Sequence, residues 1–265
     1  MLPGFRWFRN RRRRAILEAP FDPAWERAIT ANVGHWRWLE DEERAHLREL
    51  VQVFIAEKHW EGAGGLELTP EIQATVAADA CVLILGLEHD FFRGVESIVI
   101  YPSTVRPPRR EPGMFEVVTA PIEAPAPRLG EAWKDGPVIL AWDSVLAGAR
   151  NASDGVNLVF HEFAHKLDML SGAADGLPPL PEGLSREEWI AALQAEYDAL
   201  ERAAQRGRRT FLDRYALTNG AEFFAVATEH FFEEPRRMRR DHAELYRVMA
   251  GFYRQDPAER RRRSD

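Results

Sequence analysis

Residues His161 to His165 form an HExxH motif, whose side chains could bind a metal ion and activate water. Histidines four positions apart lie on one face of a helix, so both imidazoles can reach a single ion. Glu162 follows the first histidine and is placed to accept a proton from water at the metal. Zinc held in this way lowers the pKa of water toward neutrality and produces a nucleophile for a peptide carbonyl. The motif therefore predicts zinc-dependent hydrolysis.

The segment that carries the motif has the pattern of a helix. Residues 156–171 include neither proline nor glycine and are rich in apolar side chains. Asp154 is a suitable N-cap, and Gly172 is a suitable stop. We therefore expect both histidines to lie on one helix, as shared metal binding requires.

A catalytic zinc ion usually has three protein ligands, so a third is needed. No histidine follows soon after His165. Asp168 is near, but a helix rises roughly 10 Å over the seven residues from His161, too far for a short side chain to share the ion. We interpret Asp168 either as an outer carboxylate that orients a ligand imidazole or a neighbouring cation, or as an ordinary surface residue.

A second helix, predicted to begin near Asn219, offers better candidates. Glu222 lies in its first turn among apolar residues, and a buried carboxylate requires a partner such as a metal ion. Alternatively, Glu222 is an N-terminal glutamate stabilised by the helix dipole. Glu229, seven positions later, is a rival ligand, and His230 is a weaker one. The pattern alone leaves the third ligand open.

Several segments of the chain resemble the Mlc titration factor A family of bacterial zinc-dependent peptidases. They are HEFAHKLD, AEFFAVATEHFFE, and WEGAGGLELTPEIQATVAADACVLILGL followed by VESIVIYPS. The resemblance covers roughly 25–253, most of the chain. It implies a gluzincin-type site, similar also to the site in the catalytic domain of anthrax lethal factor.

Carried onto this chain, the resemblance implies that His161, His165 and Glu222 bind one zinc ion. Glu162 is then the general base, and Tyr215 is the tyrosine that donates a hydrogen bond to the oxyanion of the tetrahedral intermediate. Without the resemblance, Tyr215 reads as an ordinary half-buried side chain before a helix. The family also binds a glucose-responsive transcriptional repressor, so a repressor of the Mlc type is an implied partner.

The composition of the chain limits the cellular compartments and the kinds of binding partner that we expect. The 265 residues carry a formal net charge of −7, which argues against direct binding of nucleic acid. No run of apolar residues is long enough to span a membrane. The basic start lacks a following apolar segment, which argues against secretion, and the lone Cys81 cannot form an internal disulfide. Together these features predict a cytoplasmic protein.

We expect one zincin-like metallopeptidase domain at 21–255, with a helical part at about 21–95 and a catalytic core at about 96–255. Basic tails are predicted at 1–20 and 256–265, each with a run of arginines. The N-terminal run also contains aromatic residues, so contact with acidic lipid headgroups is an alternative role for it.

The apolar patterns predict an α+β fold that is mostly helical, with a small mixed sheet beside the zinc helix. Helices are expected at 41–58, 70–85, 186–206 and 242–252, and strands at 97–101, 115–119 and 138–142. An edge strand in this kind of enzyme commonly pairs with extended substrate, so 138–142 or 115–119 is a candidate substrate strand.

Two functions follow from these observations. The first is a zinc metallopeptidase that cleaves short peptides, with aminopeptidase-like action implied by the family. The second is a regulatory protein that binds and titrates a repressor of sugar uptake, with weak or secondary peptidase activity. An intact Glu162 favours the first, because a purely structural zinc site has four ligands and needs no base.

Overall fold

The computed structural model describes residues 3–87, 90, 92–103 and 136–260. The helices are α1 (Pro3–Glu18), α2 (Pro23–Asn32), α3 (Asp41–Glu57), α4 (Pro70–Leu83), α5 (Trp142–Arg150), α6 (Leu158–Asp168), α7 (Arg186–Gln205), α8 (Gly220–Glu233), α9 (Pro235–Asp241) and α10 (Ala243–Tyr253). The strands are β1 (His59–Gly62), β2 (Ser97–Tyr101) and β3 (Val138–Ala141). Short 3-10 turns occur at Gly34–Trp38, Met169–Ser171 and Arg214–Leu217.

The long predicted helices are confirmed, and local capping explains where they begin. Glu40 and Glu43 form a capping box at the start of α3, which satisfies two backbone groups that a helix end leaves unpaired. Thr69 caps α4 by accepting from the backbone N–H of Ile72, and Pro70 occupies the first turn. Proline fits there because the first turn needs no donor from it.

The three described strands form a parallel sheet in the order β1-β2-β3. The predicted mixed sheet is therefore wrong for these strands. Parallel strands cannot be joined by a tight hairpin, and α4 lies in the crossover from β1 to β2. Ile98 and Ile100 of the central strand are fully buried, as expected for a sheet covered by helices.

The two candidate substrate strands have different outcomes. The predicted strand at 138–142 is confirmed up to Ala141, but Trp142 already begins α5. The predicted strand at 115–119 lies outside the described residues. Among the described strands, β3 is terminal in the sheet and packs against α6, the helix with the HExxH motif.

The predicted basic tails differ from the structure in part. Most of the first tail is helix α1, and Arg13 on it makes ion pairs of 2.7 Å with both Glu57 and Asp90. At the other end, Arg260 contacts Glu43 at 2.6 Å and Gln255 at 2.8 Å. Arg13 and Arg260 thus bind side chains of α3 and its surroundings and are not simply solvated.

Helix α4 forms the centre of the core and is buried on nearly every face. Its alanines, including Ala74, Ala77 and Ala78, are fully buried and let α2, α3 and α6 approach closely. Helix α6 in turn packs against α8. This pairing of α6 with α8 brings the HExxH motif beside the predicted third ligand.

None of the described helices is both long and apolar enough to cross a membrane.

Candidate metal centre

The HExxH helix begins later than predicted. Its N-cap is Asn157, whose side-chain oxygen accepts from the backbone N–H of Phe160 at 3.0 Å. The predicted cap, Asp154, instead closes a preceding turn by accepting from the N–H of Val156 at 3.1 Å. Asparagine is as good a cap as aspartate. Packing rather than residue preference therefore determines that Asn157, and not Asp154, caps this helix.

Helix α8 presents Glu222 to the histidines from its first turn. Asn219 caps this helix by accepting from the backbone N–H of Glu222 at 2.9 Å, as predicted for its start. From Phe223 onward the helix is buried on all faces. The capped first turn therefore fixes Glu222 at the edge of the core, where its carboxylate reaches across to α6.

His161, His165 and Glu222 meet at one point. The Nε2 atom of His161 is 3.0 Å from Oε2 of Glu222 and 3.3 Å from Nε2 of His165. The Nε2 atom of His165 is 3.4 Å from the same carboxylate oxygen. Among the residues that the structure describes, these three are the one group of histidine and acidic side chains arranged to hold a metal ion.

The spacing of these three atoms fits zinc. A tetrahedral zinc ion with bonds of about 2.0–2.2 Å separates neighbouring ligand atoms by roughly 3.2–3.6 Å. The measured separations of 3.0, 3.3 and 3.4 Å are close to this range. Three such ligands leave one tetrahedral position open, as a catalytic rather than a structural zinc requires.

Glu162 has the properties of a general base held ready inside the protein. It is 1% exposed, and its Oε1 atom has no hydrogen-bond partner within the described part of the chain. Burial raises the pKa of Glu162 to about 7, against the opposing influence of His161. A buried carboxylate oxygen without a protein partner is costly, and a water molecule that enters the site would satisfy it.

Glu229, the rival candidate for the third ligand, contacts His161 at the ring nitrogen that Glu222 does not contact. Its Oε1 atom lies 2.9 Å from Nδ1 of His161, on the ring edge away from Glu222. Its Oε2 atom accepts from the backbone N–H of Asn157 at 2.7 Å. Glu229 thus joins the ring of His161 to Asn157, the N-cap of the helix that carries His161. Outer carboxylates orient metal-binding histidines by contacts of this kind.

The charges of the site depend on one another. Burial disfavours a charged His161, but the carboxylates of Glu222 and Glu229 outweigh it and raise the pKa of His161 to about 10. Burial likewise disfavours a charged Glu222, but His161 and His165 lower its pKa to about 2. The pair of carboxylates around one imidazole therefore favours a positive charge at this point, which a bound metal ion would supply.

Tyr215 lies beside the metal-binding atoms in a short 3-10 turn. Asp213 caps this turn by accepting from the backbone N–H of Tyr215 at 2.7 Å. The tyrosine is 53% exposed, and its ring centroid is 6.1 Å from that of His161. The alternative prediction of a half-buried tyrosine is therefore wrong, because this side chain is exposed. Sequence reasoning missed Asp213, although an aspartate whose side chain bonds to the backbone two residues later is a recognisable turn signal.

Asp168 contacts the loop after α6. Its Oδ2 atom accepts from the backbone N–H of Gly176 at 2.8 Å, and the residue is fully buried. A Cβ atom on Gly176 would lie 2.4 Å from the carbonyl oxygen of Gly220, the first residue of α8. Asp168 thus holds a glycine loop against the start of the Glu222 helix. Its complete burial shows that the alternative prediction of an ordinary surface residue is wrong.

His230, the weaker candidate ligand, does not belong to the cluster of His161, His165 and Glu222. Its Nδ1 atom lies 3.1 Å from the carbonyl oxygen of Val226, one turn earlier in α8. Its ring packs edge-on against Phe211, with 4.8 Å between centroids. The helix therefore directs Glu222 and Glu229 toward His161, and it directs the buried His230 toward Phe211.

Comparison with known proteins agrees with this geometry. The family model described as glucose-regulated metallo-peptidase M90 matches residues 7–254. Mlc titration factor A of Klebsiella pneumoniae is 34% identical over 246 residues, which cover 90% of this chain and 88% of that protein. Mlc titration factor A of Escherichia fergusonii is 31% identical over 256 residues, with 94% and 91% covered. An uncharacterised protein of Synechocystis sp. is 31% identical over 262 residues, with 96% and 92% covered.

The fold and the comparisons together define a class. An HExxH helix beside a second helix that supplies a glutamate is an arrangement found in zinc-dependent hydrolases. The chain belongs to the M90 family of glucose-regulated metallo-peptidases. The resemblance to the Mlc titration factors A is confirmed over most of the chain.

Proposed function

We propose that this protein is a zinc metallopeptidase in which His161, His165 and Glu222 hold the ion. The observation that carries the proposal is that one ligand atom from each of these three residues lies within 4.8 Å of the others. The buried carboxylate of Glu162 lies on the same helix as the two histidines. Zinc bound there would act as a Lewis acid that lowers the pKa of water and polarises a peptide carbonyl.

Residues of this chain carry out proton transfer, stabilisation of the oxyanion and orientation of His161. Glu162 takes a proton from the attacking water, whose oxygen forms a bond to the carbonyl carbon. When the C–N bond breaks, Glu162 gives that proton to the nitrogen of the leaving amine. Tyr215 donates a hydrogen bond to the oxygen that becomes negatively charged. Glu229 keeps the ring of His161 oriented, because it contacts the ring atom opposite the metal-binding one.

The position of β3 supports a peptide substrate. The strand is terminal among the described strands and packs against α6. Lys166 of α6 donates to the carbonyl oxygen of Gly136, two residues before the strand, at 3.0 Å. An extended peptide that pairs with β3 would lie along the helix that carries the metal ligands. Aminopeptidase-like cleavage of short peptides in the cytoplasm is our proposal for the activity, on the basis of the family.

The test is the zinc content and peptide cleavage of the purified protein beside two variants. We expect about one zinc ion per chain in the wild type and in Glu162→Gln, since this variant keeps all three ligands. Glu162→Gln should lose roughly 100- to 10,000-fold in kcat, the usual contribution of a general base. Glu222→Ala should lose zinc and activity together. Full zinc in Glu222→Ala, or wild-type cleavage by Glu162→Gln, would contradict the proposal.

A regulatory role is the second candidate, favoured by the names of the relatives called Mlc titration factor A. In this role the protein would bind a transcriptional repressor of the Mlc type, and hydrolysis would be weak or secondary. The Glu162→Gln variant separates the two functions, because it removes the base while it keeps the surface of the protein. A cellular phenotype that survives this substitution would make repressor binding the primary function.

A further inference from the structure

A cleft of about 670 Å³ is lined by three arginines and by the residues that precede Asn157 and Tyr215 in the chain. Its first wall is the segment 207–214, which includes Arg208, Arg209 and Arg214. Its second wall is the segment 154–156, and His230 lies between the two walls. This volume falls within the range of about 300–1,000 Å³ that is usual for ligand sites. Below, these residues are called the arginine cleft.

Each wall of the arginine cleft continues along the chain into a residue beside the candidate metal centre. Val156 immediately precedes Asn157, the N-cap of the HExxH helix, and it is 62% exposed. Arg214 immediately precedes Tyr215, whose ring approaches His161. A peptide whose scissile bond lies at the metal would therefore extend into this cleft on one side.

The segment that carries the arginines is held in place by backbone contacts. The backbone N–H of Arg208 donates to the carbonyl oxygen of Ala203 at 3.0 Å. The Nη2 atom of Arg214 donates to the carbonyl oxygen of Arg208, also at 3.0 Å. Phe211 anchors the middle of the segment, since its ring stacks on that of His242 at 4.6 Å. The arginines thus project from a positioned segment.

Positively charged side chains outnumber negatively charged ones in the arginine cleft, which favours binding of anions. In the described part of the chain, the side chains of Arg208 and Arg209 form no ion pair, and both residues are exposed. Two aspartates also line the cleft, so its three arginines outnumber its acidic side chains by one. Asp213 accepts from Tyr215 at 2.7 Å, and Asp154 accepts from Val156 at 3.1 Å. Guanidinium groups bind carboxylates with two parallel hydrogen bonds, which makes them suitable partners.

From this juxtaposition we propose that the arginine cleft binds a carboxylate of the peptide substrate. The carboxylate belongs to an acidic side chain or to the C-terminus of a short peptide, and both present the same chemistry to Arg208 and Arg209. The proposal rests on the proposed peptidase function, since it assigns a substrate class to the same site. It gives the protein a preference for acidic or short peptides over neutral, blocked ones.

The test measures peptide binding to zinc-loaded Glu162→Gln, which holds substrate without turning it over. Three peptides of equal length are compared by calorimetry: a neutral sequence with a free C-terminus, the same sequence amidated, and the amidated sequence with one Glu. We expect at least one carboxylate-bearing peptide to bind about tenfold more tightly than the amidated neutral one at low salt. The two carboxylate peptides distinguish the terminal from the side-chain source. The preference should weaken as salt screens the charges.

Two double variants in the Glu162→Gln background locate the effect. Arg208→Gln with Arg209→Gln should abolish the tenfold preference. Arg202→Gln with Arg206→Gln is the matched control, because both are exposed and lie outside the cleft lining. The control should keep the preference despite the same change in net charge. Equal binding of all three peptides, or equal losses in both double variants, would overturn the proposal.

The two proposals fail in different ways. If zinc-loaded wild type cleaves peptides without regard to carboxylates, the peptidase function stands and the arginine cleft is not a subsite. If the carboxylate preference is present but no peptide is cleaved, the arginine cleft is a binding site and the peptidase function is wrong.

Discussion

Glu229 accepts a hydrogen bond from the ring of His161, since its Oε1 atom lies 2.9 Å from Nδ1 of that residue. The same carboxylate accepts from the N–H of Asn157, the residue that caps the HExxH helix. One glutamate on α8 therefore fixes both the orientation of the imidazole and the start of the helix that carries it. Glu222 completes the arrangement from the same helix, seven positions earlier.

The first prediction concerns the strength of metal binding. Glu229→Gln should weaken zinc binding by about 10- to 100-fold, because outer partners of ligand histidines contribute that much. The measurement is a competition titration with a chromophoric chelator. Glu234→Gln, near the end of the same helix, is the control and should bind zinc as the wild type does. Unchanged affinity in Glu229→Gln would show that the ring is oriented by packing alone.

The second prediction concerns the exposed tyrosine of the site. Tyr215→Phe should lower kcat by about 100-fold with little change in zinc content, since it removes a single oxyanion donor. The measurement is steady-state peptide cleavage together with metal analysis.

Tyr197→Phe is the matched control, because the hydroxyl of Tyr197 donates to the carbonyl oxygen of Leu217 in the same 3-10 turn. It loosens the support of the turn but leaves Tyr215 intact. Similar losses in both variants would mean that Tyr215 acts through the position of the turn and not through its hydroxyl.

Much of the candidate site could be predicted from the spacing of residues in the sequence. His161 and His165 could be placed together because helical periodicity is local and the apolar pattern around them is strong. Glu222 could be nominated but not distinguished from Glu229 by spacing alone. Both lie on α8 and both face α6, and only the packing of the two helices decides which carboxylate meets Nε2 and which meets Nδ1 of His161.

Long-range features were the ones that sequence patterns missed. The parallel direction of the sheet depends on the crossover through α4, which short strand patterns do not reveal. Asn157 replaced Asp154 as the helix cap because Glu229 and Asp79, distant in sequence, both bond to it. Asp79 itself lies in an alanine-rich run, where its polar partner could not be identified without the fold.

The third prediction concerns the loop that supports α8. Gly176→Ala should destabilise the protein by more than about 2 kcal/mol and weaken zinc binding. Its φ is +83°, and a Cβ would lie 2.4 Å from the carbonyl oxygen of Gly220. Left-handed backbone costs a residue with a Cβ about 1–2 kcal/mol, and displacement of α8 adds to that cost. Chemical denaturation and zinc titration measure the two effects.

Gly183→Ala is the control for backbone strain. Its φ is +92°, but a Cβ there meets no atom of the described residues within 4 Å. It should therefore lose only the cost of the left-handed conformation and keep its zinc affinity. If Gly176→Ala behaves no worse than Gly183→Ala, the close approach of the loop to α8 does not support the metal centre.

The last prediction concerns Asp79, a fully buried carboxyl group behind the HExxH helix. Its Oδ2 atom accepts from the side-chain amide of Asn157 at 3.2 Å. Burial raises the pKa of Asp79 from 3.8 to about 7, although the hydrogen bond from Asn157 opposes this. The folded protein therefore holds a proton that the unfolded chain releases near pH 4. Stability from this group is complete below that pH and is lost as the pH rises toward 7.

Asp79→Asn should remove this loss, because an amide keeps the acceptor for Asn157 and does not ionise. Relative to the wild type, the variant should gain up to about 4 kcal/mol of unfolding free energy between pH 4 and pH 7. The measurement is urea denaturation across that range with zinc present. Glu187→Gln, an exposed change on α7, should give a curve parallel to that of the wild type. Parallel curves for Asp79→Asn as well would mean that Asp79 is ionised in the folded protein, and that its charge is stabilised by the N-cap of the metal helix.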